Sequence, residues 1–208
     1  MTASNVSQNP PLPETLATTI IEPTRGWASL GLRDLWEYRE LLMLLVWREI
    51  KGAYRQTALG VSWLFLRPIL NVLVLTLVFG MLVQVPSNDL PYALFSLSAL
   101  LPWGYFSNAV LRSAGSLVQN MEIISKVYFP RLIIAVAGVL SGLVDLAASF
   151  IVFVVFMLIY RVPLRIEMLW LPGFILAAVL MALTVGLWLA TLSVRYRDVS
   201  FAVNFLLQ

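Results

Sequence analysis

Lys51-Gly52-Ala53-Tyr54-Arg55-Gln56-Thr57-Ala58-Leu59-Gly60-Val61-Ser62-Trp63-Leu64-Phe65-Leu66-Arg67-Pro68 joins a cation-bearing amphipathic segment to an apolar run of membrane length, with almost no loop between. The junction places a surface helix directly before a membrane span. Helix and span are expected to move as one piece, which suits a protein that passes a push from one side into the bilayer.

Composition extends this reading to the whole chain. Hydrophobic residues make up 60% and charged residues 12%, about half the charge of an average soluble domain. Mean hydropathy is +0.87. The fold class expected is all-α, a polytopic membrane helix bundle whose core is shared with lipid. His and Cys are both absent, which excludes Cys/His zinc sites, Ser-His and Cys-His nucleophilic catalysis, and disulfides. Neither lysine, Lys51 or Lys126, completes a phosphate-binding G-x-x-x-x-G-K-[ST] loop. Any ATP used must therefore bind to another chain. No catalytic residue, metal site or cofactor is assigned to this one.

Residues 1–29 contain Pro10, Pro11, Pro13 and Pro23 and lack the apolar core of a signal peptide. They read as a disordered cytoplasmic tail. Residues 30–62 form the interface segment, with a surface helix over 30–56. At about 100° per residue, Glu37, Glu40, Arg48, Lys51 and Arg55 share one face. Leu35, Leu42, Val46 and Ala53 lie opposite, and Arg39 and Leu41 break the pattern. Trp36, Trp47 and Tyr54 share a flank suited to the water–lipid boundary. The plainer reading of this helix is an interfacial anchor.

Residues 63–208 form the transmembrane domain. Spans are expected near 63–84, 92–112, 132–160 and 169–194, with 199–208 opening a fifth, incomplete one. Lys and Arg concentrate before span one, in the 112–131 loop and at Arg195-Tyr196-Arg197-Asp198, whereas the 85–91 turn has none. The positive-inside rule puts the cation-rich segments, and the N-terminus, in the cytoplasm.

Within the 112–131 loop, Asn120 is positioned to cap a short helix from Met121 to about Tyr128, with Glu122 in its first turn. Pro130 then restarts the chain. A short helix held at both ends by spans makes a lever for a cytoplasmic partner; the plain alternative is a cationic topology loop. Asp145 is the one acidic residue deep in a span, and shares a stripe with Gly138, Ser141, Gly142 and Ser149. It is a substrate-path candidate, against the plainer reading of a hydrogen-bonded carboxylate at a helix contact. Ala178, Ala182, Gly186 and Ala190 form a small-residue ladder for close packing. Ser96, Trp103 and Ser107 share one face of span two, where an aromatic, hydroxyl-lined surface would suit a sugar. The alternative there is lipid contact.

Tyr54-Arg55-Gln56-Thr57-x-Leu59-Gly60-x-x-Trp63, with Pro68 beginning the span, resembles the lead-in signature of ABC-2 type permeases that export polysaccharides. Lys126-Val127-Tyr128-Phe129-Pro130-Arg131 and Arg195-Tyr196-Arg197-Asp198 are similar to two later cytoplasmic motifs of that family, in the same order. The resemblance covers about residues 30–208. It implies an exporter of lipid-linked glycans (O-antigen, capsule or teichoic acid) in the bacterial inner membrane, built from two permeases and two P-loop ATPase subunits that carry ATP and Mg. It implies that the interface helix, with Glu49 and Lys51, and the short helix, with Glu122, Lys126, Tyr128 and Arg131, contact the ATPase. Arg55, Trp103, Ser107 and Asp145 are the substrate-path candidates, with Arg55 facing the undecaprenyl diphosphate or, equally, an anionic lipid headgroup. Lipid and a second permease copy are the other partners expected; nucleic acid is not. The family has six spans, so residues 199–208 read as the start of a fifth. Other readings are a permease for a drug or another polymer, a non-transporting scaffold, and a membrane enzyme. The scattered acids, with no D-x-D, give the enzyme little support.

Overall fold

The computed structural model describes residues 32–208 apart from 56, 88, 89, 127, 128, 164, 165, 197 and 208. These residues are helical almost throughout, with no strand among those described. The elements are α1 (Leu32–Glu37), α2 (Arg39–Tyr54), α3 (Trp63–Leu75), α4 (Tyr92–Gln119), α5 (Met121–Lys126), α6 (Leu132–Ile159), α7 (Leu171–Arg195) and α8 (Asp198–Leu206). Among the described residues, four stretches are long and apolar enough to cross a membrane: Gly60–Leu82, Tyr92–Gln119, Leu132–Ile159 and Met168–Arg195. This is a multi-pass membrane bundle.

The expected surface helix is broken once, at Tyr38, and ends at Tyr54. A short turn containing Gly60 at φ +53° then leads into α3. Glycine suits that left-handed backbone because a Cβ would clash with the carbonyl. The first span opens with a 3₁₀ turn, Gly60–Ser62, and closes with a π-helical stretch, Thr76–Leu82.

The second span is longer than its hydropathy suggests. α4 continues without interruption through Ser113 and Ser116 to Gln119, although those residues read as loop. Both serines are almost fully buried, and Ser116 donates its hydroxyl to the Ser113 carbonyl at 2.7 Å. Ser116 thus satisfies its hydroxyl within the helix, whereas the Ser113 hydroxyl is buried without a hydrogen-bond partner among the described residues, and the connection shrinks to Asn120, α5 and the residues up to Arg131.

α4 is the central helix. On one side, α6 brings the Gly138/Gly142 stripe against it. A Cβ on Gly138 would sit 3.2 Å from the Arg112–Ser113 backbone, and one on Gly142 would sit 3.2 Å from the Tyr105 ring. On the other side, α7 presents its small-residue ladder, with Ala182 and Ala190 fully buried. A Cβ on Gly186 would approach Ser113 to 2.7 Å. Both small-residue patterns therefore serve close helix approach. α8 closes the same core, burying Val203 beside Tyr105, Ala109 and Val110.

The apolar face of α2 packs on protein. Leu45 is buried in a cluster with Phe129, Ile133, Ile134 and Ala137, and Leu35, Tyr38, Leu41, Leu42 and Val46 pack around it. Leu41 belongs to this docked face although it lies outside the ideal stripe. Ala53, expected on that face, is exposed. Trp36 and Trp47 point away, 73% and 58% exposed, as rings destined for the interface should.

Candidate functional site

Among the described residues, the densest polar contacts join α2 to the spans α4 and α6. Asp145 lies in the fourth turn of α6. Its Oδ1 accepts from the Tyr54 hydroxyl at 2.5 Å. Its Oδ2 accepts from Arg112 Nη2 on α4 in an ion pair. Arg112 Nη1 donates to Ser141 Oγ at 3.1 Å, and Ser141 donates onward to the Gly138 carbonyl at 2.9 Å. One carboxylate thus ties together α2, α4 and α6. A charge in a bundle needs a partner and filled lone pairs; Arg112 and Tyr54 supply them to Asp145, and Ser141 accepts a further N–H of Arg112. The Tyr54 phenol, at the membrane-facing end of α2, is pushed up to about 12 by burial first and then by its bond to the Asp145 carboxylate.

A second polar contact lies nearer the start of α2 and the end of α4. Arg48 Nη2 on α2 donates to Asn120 Oδ1 at 2.5 Å, and Asn120 Nδ2 donates to the Ser116 carbonyl at 2.8 Å. The expected side-chain cap on α5 is therefore not made. The α5 amides of Ile123 and Ile124 bond instead to the Asn120 backbone carbonyl, because its side chain is spent on α2 and on the end of α4.

α5 is amphipathic despite its six residues. Ile123 and Ile124 pack on the Leu45–Phe129–Ile133 cluster, while Glu122, Ser125 and Lys126 are exposed. Arg131 is also exposed, and Tyr128 lies outside the described residues. On α2, Lys51 is exposed with its ammonium 5.0 Å from the Trp47 ring centroid. Glu49 is partly buried, 3.8 Å from Arg48. Glu122, Lys126, Arg131 and Lys51 thus present charge outward on one group of packed helices.

The four substrate-path candidates do not converge. Arg55 is exposed just after α2. Trp103 is half exposed on α4, tilted against Phe106 with centroids 6.0 Å apart. Ser107 is buried, its hydroxyl donated to the Trp103 carbonyl at 2.8 Å, so the shared face drawn for Trp103 and Ser107 separates into an exposed ring and a self-satisfied hydroxyl. Asp145 borders a cavity of about 130 Å³ that Tyr54, Arg67, Asn71 and Asn108 also line.

Four residues of the polar contacts had other readings in the sequence. Tyr54 stood as an interface ring, Arg112 as a topology cation, Asn120 as a cap and Arg48 as part of a charged face. One signal pointed to Arg112: an acid inside a span requires a cation at reach, and Arg112 is the cation of the neighbouring span. Nothing local marks Tyr54, whose partner is 91 positions away.

Comparison with known proteins accords with this architecture. The ABC-2 type transporter family profile matches residues 40–208. An O-antigen export system permease protein RfbA of Myxococcus xanthus is 31% identical over 176 residues, covering 85% of this chain and 67% of its own length. An RfbA of Klebsiella pneumoniae is 26% identical over 168 residues, 79% of this chain and 63% of its own. A polysialic acid transport protein KpsM of Escherichia coli is 30% identical over 76 residues, 36% of this chain and 30% of its own. The chain thus spans about two thirds of the length of the O-antigen permeases it matches. With a profile match across its four spans and across α2 and α5, the chain belongs to the ABC-2 type transporter family.

Proposed function

We propose that this chain is the membrane subunit of an exporter that moves a lipid-linked, O-antigen-like polysaccharide across the bacterial inner membrane. ATP hydrolysis in a partner subunit drives the export. The observation that carries this reading is the similarity to O-antigen export permeases over 85% of the chain at 31% identity. The unit contains two copies of the chain and two P-loop ATPases holding ATP and Mg, with the N-terminus cytoplasmic. The absence of a phosphate-binding loop here agrees with that division of labour.

The ATPase docks on α5 and α2, where Glu122, Lys126, Arg131, Lys51 and Glu49 offer charged contacts, with Tyr128 beside them. Arg55 meets the diphosphate of an undecaprenyl-linked glycan, as a guanidinium suits two phosphate oxygens. Trp103, Ser107 and Asp145 remain candidates for the glycan path. A capsule polymer is the second reading, favoured by the KpsM similarity, which spans only 36% of this chain.

The test is complementation of a strain lacking its own O-antigen permease, with the cognate ATPase co-expressed. Surface polymer should return, and Arg55→Ala should reduce it. No surface polymer from a stably inserted chain would refute the proposal, and full export with Arg55→Ala would remove Arg55 from it.

A further inference from the structure

The two polar contacts of α2 fall six residues apart, at Arg48 and Tyr54. At about 1.5 Å and 100° per residue, they are roughly 9 Å apart along the axis and 120° apart around it. One pin would leave a helix free to roll about its contact. Two pins at different heights and angles block both roll and slide, and the Leu45 cluster between α2 and α6 fills the space beside them.

The partners of the pins are as informative as their spacing. Arg48 holds Asn120, the residue joining α4 to α5. Tyr54 holds Asp145, which α4 grips through Arg112. By helical spacing Tyr54 should sit on the exposed flank with Trp36 and Trp47. It alone of the three turns inward to a polar partner, and that partner is the carboxylate of the third span.

We infer that Arg48–Asn120 and Tyr54–Asp145 are positioning contacts that make α2 a strut. Motion of α5 enters at Asn120, runs along α2, and is delivered at Asp145 to the α4–α6 pair deeper in the bundle. Without the strut, a displaced α5 would press on α2 and α6 only through the apolar packing of Ile123 and Ile124. This assignment rests on the transport reading above. Arg48, Asn120 and Tyr54 lie outside the charged docking contacts and the substrate-path candidates named above, and Asp145 takes the role of a receiving anchor in place of a substrate-path one.

The test uses hydrogen exchange of the α2 amides in the full chain, together with polymer exported per ATP hydrolysed by the assembled transporter. Tyr54→Phe and Asn120→Ala each remove one pin while keeping the ring or the helix end. Each should speed α2 exchange roughly tenfold, as loss of one hydrogen bond to a charged group predicts. Hydrolysis should continue while export per ATP falls several-fold. Asn120→Asp, which keeps an acceptor for Arg48 but not the donor to Ser116, should restore both readouts; a role confined to the end of α4 would not be rescued. Unchanged α2 exchange in the Tyr54→Phe/Asn120→Ala double variant overturns the strut. Faster exchange with unaltered export per ATP overturns its coupling role. If the unsubstituted chain neither binds an ATPase nor exports, the transport reading falls and the coupling role with it, while exchange alone still decides whether the pins hold α2.

Discussion

Removing Arg112 should cost more than removing Arg112 and Asp145 together. In Arg112→Met the Asp145 carboxylate keeps the Tyr54 hydrogen bond but loses its only close cation among the described residues. Breaking a fully buried pair in this way costs about 3–5 kcal/mol. The two side chains here are 25% and 26% exposed, so water reaches the orphan and the expected cost drops to about 2–3 kcal/mol. Asp145→Leu leaves Arg112 with only its Ser141 hydrogen bond and no counter-charge, and the Tyr54 hydroxyl without its acceptor, with a similar loss. In the double variant no charge remains. The residual cost is the Tyr54 hydroxyl and imperfect packing, about 1–2 kcal/mol. The double variant should therefore fall short of additivity by at least about 2 kcal/mol. Unfolding of the purified chain in mixed micelles, followed by tryptophan fluorescence, measures all four corners of the cycle. Additive losses would refute the ion pair as the tie between α4 and α6.

Other consequences follow from close approach and titration. Gly186→Ala puts a Cβ 2.7 Å from Ser113 and should cost about 1–3 kcal/mol of unfolding stability; adding Ser113→Gly should recover part of it. Gly60→Ala forces a Cβ into a backbone at φ +53°, and should cost about 1–2 kcal/mol in the same assay, although open space surrounds the site. The Tyr54 phenol is raised from 10.0 to about 12 in the folded chain. Its contribution to α2 docking should be whole below pH 10 and disappear as pH climbs toward 12. Alkaline release of α2, read by proteolysis, should therefore show an inflection in that window that Tyr54→Phe lacks.

The sequence made the spans legible because lipid imposes one requirement, a long apolar helix. It made their packing legible where small residues recur every four positions, as at Gly138/Gly142 and along Ala178 to Ala190. Three features escaped it. Periodicity shows that α2 has an apolar face but not what covers that face, and α6 covers it. Ser113 and Ser116 read as loop because hydropathy counts a hydroxyl as polar even when it bonds to its own helix, as Ser116 does. The α2 contacts join positions 72 and 91 residues apart, and no local pattern encodes such a pairing. Charge at Glu122, Lys126 and Arg131 was visible as a cytoplasmic cluster, whereas the polar contacts behind it needed the fold.

The central claim is that a separate ATPase drives this chain through its cytoplasmic helices. The most direct measurement is co-purification with the cognate P-loop ATPase, followed by hydrolysis in vesicles, with and without charge reversal at Glu122, Lys126 and Arg131. The account predicts a stable complex whose hydrolysis rate changes when these residues are altered. A complex whose hydrolysis ignores them, or no complex at all, would contradict it.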